Sequence, residues 1–234
     1  MNILREYISQ ILSEGGSGDI MIPPPPSEDE RAQELGLIQL QKQNPANPDD
    51  MQDHLDKRVG KLFNAIIKGA GYQSQKELIK QLKAEVKPII KYHKAFFDAK
   101  RPNELANSLG YDFDFDYLET AQSPSYPSGH TTQAFYIAHK LSQMFPDLSE
   151  YFYTLAEMIA QSRVDRGVHF PSDNDAGKIL AAKLAGMKIN EANEYQWSKS
   201  TKLKMSLDKD GMDPADRKNQ VDYLVAMGLM EEQK

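Results

Sequence analysis

Cysteine is absent from all 234 residues, which excludes disulfides and thiolate-bound metals. Long apolar runs are missing as well. None approaches the roughly 18 residues that a membrane-spanning helix needs, and the mean hydropathy of −0.62 is that of a soluble protein. There is no basic excess: 28 Lys and Arg against 34 Asp and Glu leave a net charge of −6. A nucleic-acid-binding face is therefore not expected. The opening stretch MNILREYISQILSEGG carries Glu6 and Glu14 and lacks a basic segment followed by an unbroken apolar block. It does not read as a secretory signal, so the expected location is the cytoplasm, with export only if a signal was removed before residue 1. Alternating strand patterns are few.

Helical patterns fill most of what is there. Leu4, Tyr7, Ile8, Ile11 and Leu12 sit at helical spacing in residues 1–14, ahead of a Gly/Ser break and the prolines Pro23 to Pro26. Residues 1–26 thus form an arm with two readings: it folds back onto the body, or it docks a protein partner or a second copy of the chain. Ser27 and Glu30 make a capping box for a helix to about residue 43. After Pro45 and Pro48, Asp49 or Asp50 caps a helix with the stripe Leu55, Val59, Leu62, Phe63, Ile66 and Ile67. Ser74 caps the next, which Pro88 kinks or restarts. Further helices are expected after Ser128, from Leu148 to Arg163, and from Ser172 or Asp173. The reading is an all-α helical bundle over residues 27–190, with a C-terminal helical extension over 191–234. In that extension Asp213-Pro214 is a helix start. Asp208 to Gly211 fails as a calcium loop, because Arg217 stands where the bidentate Glu belongs.

Three blocks carry the chemistry: Lys94–Pro102 (KAFFDAKRP), Pro127–His130 (PSGH) and Ser162–Asp173 (SRVDRGVHFPSD). Lys94 and Arg101 are seven residues apart, so two turns of helix would bring both onto one face and toward one anion. Ser128 and Gly129 fall at a helix start, where free N–H groups and the helix dipole favour an anion. The Ser128 hydroxyl can donate to a phosphate oxygen, and glycine permits close backbone approach. Arg163 can clamp phosphate oxygens bidentately. Asp173 lies four residues beyond His169.

The ordered set K-x6-R-P, P-S-G-H and S-R-x5-H-x3-D resembles the signature of the type 2 phosphatidic acid phosphatase superfamily. Within it the set is most similar to the soluble bacterial class A acid phosphatases. The resemblance spans about residues 90–185, with the signature at 94–173. It implies an acid phosphatase/vanadium-haloperoxidase-like helical bundle that hydrolyses phosphomonoesters. In that resemblance His169 is the nucleophile that forms a phosphohistidine, Asp173 its orienter, and His130 the general acid. Lys94, Arg101, Ser128, Gly129 and Arg163 hold the phosphate. No cofactor or metal is implied, and vanadate is expected to inhibit as a phosphate mimic. The expected partner is a small phosphorylated substrate, with no nucleic acid and no membrane span.

Two other readings stand beside this one. A vanadium-dependent haloperoxidase would use the same residues, with His169 ligating vanadium. A structural or interaction protein could keep the scaffold and dock through residues 1–50 or 190–234. Tyr111, Phe113, Phe115, Tyr117 and Tyr126 either stack on a substrate or, the favoured reading, pack their own loop. His54, His93 and His139 fall outside the pattern and are assigned no catalytic role.

Overall fold

A computed structural model describes residues 21–46 and 49–186. The amphipathic stretch 1–14 and the C-terminal extension, including Asp208–Gly211 and the helix expected at Asp213-Pro214, lie outside the described residues. The regular elements of the described residues are all helices, as expected, with no strand among them. Helices α1 (Glu28–Gln43), α2 (Asp49–Lys57), α3 (Val59–Gly69) and α4 (Lys76–Phe97) are followed by a short α5 (Pro102–Leu109). Then come α6 (Gly129–Met144), α7 (Ser149–Asp165) and α8 (Pro171–Ala185). Among the described residues, no helix is long and apolar enough to cross a membrane.

Helix α6 is the centre, packing on α4, α7 and α8. Its Ile137, Ala138 and Leu141 are buried with Phe152, Leu155 and Ile159 of α7 and Leu180 and Ala181 of α8. Each large apolar side chain buried in this way contributes about 1.5–3 kcal/mol. The α6–α8 approach is close because Gly177 has no side chain. A Cβ there would stand 3.0 Å from the Ser128 carbonyl oxygen and 3.1 Å from Thr131 Cβ. Packing thus fixes the start of α6, where the P-S-G-H block sits. A second cluster joins Leu35 and Ile38 of α1, Leu105 and Ala106 of α5, Val164 and Phe170. It anchors the loop that carries His169.

Several local expectations are met and others corrected. Ser27 and Glu30 form the capping box of α1. The single helix expected after Asp49 is two, broken at Arg58 (φ −121°, ψ 20°). The break lets Leu55 and the Val59–Ile67 stripe share the core while Asp56, at the end of α2, turns inward. Ser74 does not cap α4. Its hydroxyl donates to Asn64, whose side-chain oxygen also takes the Gln75 N–H, so a neighbouring helix supplies the acceptor. Pro88 lies inside α4 without ending it. Residues Asp112 to Asp116 form an irregular loop.

Candidate active site

Every site residue expected from the sequence falls in one region, where α4, α5, α6 and the α7–α8 connection meet. Lys94 and Arg101 do not reach it along a shared helix face. Helix α4 ends at Phe97, Asp98 takes a left-handed conformation (φ 43°), and Arg101 is the extended residue that starts α5. The restriction imposed by Pro102 overrides helical spacing here. Chain reversal, rather than periodicity, brings the two cations together.

His169 is 2% exposed. Its Nδ1 lies 2.9 Å from Asp173 Oδ2, and its Nε2 lies 3.5 Å from Arg101 Nη1. A guanidinium only donates, so the nitrogen facing it is the unprotonated one and Nδ1–H points at Asp173. Burial, reinforced by the charges of Arg101, Lys94 and Arg163, holds His169 well below the usual imidazole range. The ring is neutral, with its lone pair on Nε2, which is the form a nucleophile needs.

Asp173 is fully buried and surrounded by donors. Oδ2 accepts from the Ser125 hydroxyl, from His169 and from the Phe170 N–H at 3.0 Å. Oδ1 accepts from Arg31 Nη2 at 3.1 Å. Burial raises its carboxyl above the usual range, opposed by Arg31 and by the bonds from Ser125 and Phe170. Arg31 also lies 4.0 Å above the Phe170 ring.

The cations keep donors to spare. Lys94 Nζ donates to the carbonyls of Pro124 and Ser125, using two of its three protons. Arg101 donates to the carbonyls of Ser123 (2.8 Å) and Val168 (2.5 Å), leaving Nη2 uncommitted among the described residues. Arg163 is fully buried; it pairs through Nη1 with Asp56 and approaches Thr120 through Nη2 at 3.5 Å. Burial, with the neighbouring cations, lowers Lys94 to about 7 and Arg101 to about 10. Mutual repulsion of three cations costs least when an anion lies among them.

Asp56 joins the clamp to the acid. His130 Nε2 lies 3.2 Å from the Asp56 carbonyl and 3.3 Å from Oδ1, so this nitrogen carries the proton. Thr120 donates to the same Oδ1 at 2.9 Å. Burial and Arg163 lower the His130 imidazole, while Asp56 works against them. Arg163 and His130 in turn hold the Asp56 carboxyl below its usual range, against a desolvation cost.

Ser128 caps α6, as expected, but its hydroxyl is already engaged. Thr131 donates to Asn174 at 2.7 Å, so the Ser128 proton goes to Thr131 Oγ1 at 2.8 Å. The Ser128 N–H goes to the Asp173 carbonyl. A Cβ at Gly129 would meet Lys94 Cε at 3.7 Å, so this turn lies against the clamp lysine. The Ser162 hydroxyl donates to the Ile159 carbonyl of its own helix. Arg166 pairs with Asp116 and Asp53. His139 is buried against the Tyr153 hydroxyl and His93 against the Ile89 carbonyl. Tyr111, Phe115 and Tyr117 are exposed, so packing does not account for them; only Tyr126 and, in part, Phe113 are buried. Phe115 and Tyr117 line a pocket of about 530 Å³ that reaches Arg101 and Val168.

Sequence reading missed Arg31, Asp56, Thr120 and Ser125. The first two had a signal: each is a charge within a buried helical stripe, Arg31 with Leu35 and Ile38, Asp56 with Gln52, Leu55 and Val59. A charge in such a position is buried only when paired. Thr120 and Ser125 lie in irregular backbone and had none.

The model of the PAP2 superfamily matches residues 85–190. A non-specific acid phosphatase of Salmonella typhi is 41% identical over 58 residues, an alignment spanning 25% of this chain and 23% of that protein. A solved structure of a transmembrane PAP2-type phosphatidylglycerolphosphate phosphatase from Bacillus subtilis superposes with a TM-score of 0.46 at 20% identity. That superposition covers 73% of this chain and 89% of the other.

Proposed function

Residues 85–190 are a PAP2-superfamily region, and from that premise we propose that the protein is a metal-independent phosphatase. It hydrolyses phosphomonoesters through a phosphohistidine at His169. One observation carries the reading: His169 turns its unprotonated Nε2 toward Arg101 while Asp173 holds the opposite nitrogen.

In the proposed reaction, the phosphate lies among Lys94, Arg101, Arg163 and the N–H groups at the start of α6. His169 Nε2 forms a bond to phosphorus as the ester P–O bond breaks. The leaving oxygen takes a proton from His130. Asp173 stabilises the positive charge that grows on His169. A water then attacks phosphorus and gives its proton to His130; the P–N bond breaks and inorganic phosphate leaves. Three cations and the backbone donors supply the charge neutralisation that phosphoryl transfer requires, so no metal ion is needed. Vanadate inhibits by taking the same seat.

The test is hydrolysis of p-nitrophenyl phosphate in excess EDTA by the wild type and by His169→Ala. Turnover by the wild type and none by the variant supports the reading. Equal rates would remove His169 from the mechanism, and a strict need for added metal would remove metal independence.

A further inference from the structure

On the side of the site marked by His130, the chain turns directly from Asp56 into a strongly basic groove of about 550 Å³. Lys57 and Arg58 open it, Lys61 and Lys68 of α3 form one wall, and Lys76, Lys80 and Lys83 of α4 form the other. This concentration of cations belongs to a chain of net charge −6. Only Lys57, on Asp53 at 3.0 Å, and Lys80, on Glu77 at 4.0 Å, have an acidic partner among the described residues. Left to itself, such a set repels.

Three relationships tie the groove to the catalytic residues. The Asp56 backbone carbonyl contacts His130, so Lys57 and Arg58 follow within two residues of the acid's hydrogen-bond partner. The charge of Lys83 acts on His130. Along α4, Lys76, Lys83 and Lys94 are seven and eleven residues apart, which places them on one helical stripe leading from the groove to the phosphate clamp.

In-line displacement puts the leaving group opposite the nucleophile. Arg101 and the Phe115–Tyr117 pocket lie on the His169 side. The acid, and with it the leaving oxygen, lies on the groove side. We infer that the preferred substrate is a soluble compound whose leaving group carries a second phosphate or equivalent anion, seated in the groove lined by Arg58, Lys61, Lys80 and Lys83. The concave shape and a volume suited to a small molecule favour a small bis-anion over an extended surface.

This inference rests on the phosphatase reading for its catalytic meaning, but its test needs no turnover. Calorimetry measures the affinity of a short homologous series of alkane-α,ω-bisphosphonates, each against the alkylphosphonate of equal length. The wild type is expected to prefer the best bisphosphonate by about tenfold. That preference should shrink with added salt and collapse in the exposed-surface variant Arg58→Gln/Lys61→Gln/Lys80→Gln. Equal affinity for both ligands, or a preference that survives in the variant, overturns it. Variant-sensitive binding to phosphatidylglycerol vesicles without any bisphosphonate preference overturns it too, and assigns the groove to a lipid surface. Hydrolysis of p-nitrophenyl phosphate is scored separately: turnover without bisphosphonate preference sinks the groove inference alone. Preference without turnover sinks the phosphatase reading and leaves the groove as an anion site.

Discussion

The Asp56 carboxylate pairs with the Arg163 guanidinium inside the protein, where both are almost wholly out of solvent. One carboxylate oxygen receives Arg163, Thr120 and His130 together. Asp56 lies ahead of the residues matched by the superfamily, so a residue outside that region completes the charge balance of the site.

Removing one partner of a buried ion pair leaves the other uncompensated. Asp56→Ala is therefore expected to lose about 3–5 kcal/mol of stability in denaturant titrations. Inorganic phosphate or vanadate should stabilise this variant more than the wild type, because either anion can neutralise Arg163. A smaller ligand-induced shift than in the wild type would show that the anion does not reach Arg163.

Lys94 has its ammonium lowered to about 7 by burial and by the charges of Arg101 and Arg163. Below that pH it is charged and can bind phosphate; above it, the charge is lost. The kcat/KM profile should therefore fall as pH rises through about 7. His130, lowered to about 3 by burial and Arg163, titrates well below this limb, so the fall near 7 reports Lys94. Lys94→Arg should be slower overall with the alkaline limb displaced upward. A profile flat from pH 6 to pH 9 would exclude Lys94 from the clamp.

Asp173→Asn removes the negative charge and turns one of its two acceptor oxygens into a donor, which disturbs the His169 tautomer, and kcat should drop by about 10³–10⁴-fold. Arg31→Met acts one step further away, on Asp173. Its loss should be smaller and lie in kcat rather than KM. An equal rise in KM for both variants, with kcat unchanged, would instead place the effect in substrate binding.

Gly177→Ala places a Cβ against the Ser128 carbonyl and the Thr132 amide nitrogen. Stability should fall by about 1–3 kcal/mol, and activity should fall further as the start of α6 moves. Thermal unfolding with kinetics at a temperature well below the transition separates the two effects.

What the sequence disclosed, and what it hid, divides along physical lines. Local rules located the capping box at Ser27, the start of α6 at Ser128 and the His169–Asp173 pair, because each depends on residues within four positions. Arg101 lies beside His169, but not through the shared helix face that its spacing from Lys94 suggested, since Asp98 and Pro102 replaced a helix with a turn. Long-range partners were invisible: Arg31 meets Asp173, and Asp56 meets Arg163, across more than a hundred residues of chain. Their only trace was a charge on a buried stripe. The Ser128 hydroxyl was misread because its acceptor chain runs through Thr131 to Asn174 on another helix.

The most direct measurement is rapid-quench trapping with a phosphate ester labelled on phosphorus, followed by mapping of the label. The account predicts an acid-labile, base-stable phosphoryl group on His169, formed in EDTA at a rate matching turnover and absent from His169→Ala. Steady turnover with no label at His169, or label on another residue, would contradict it.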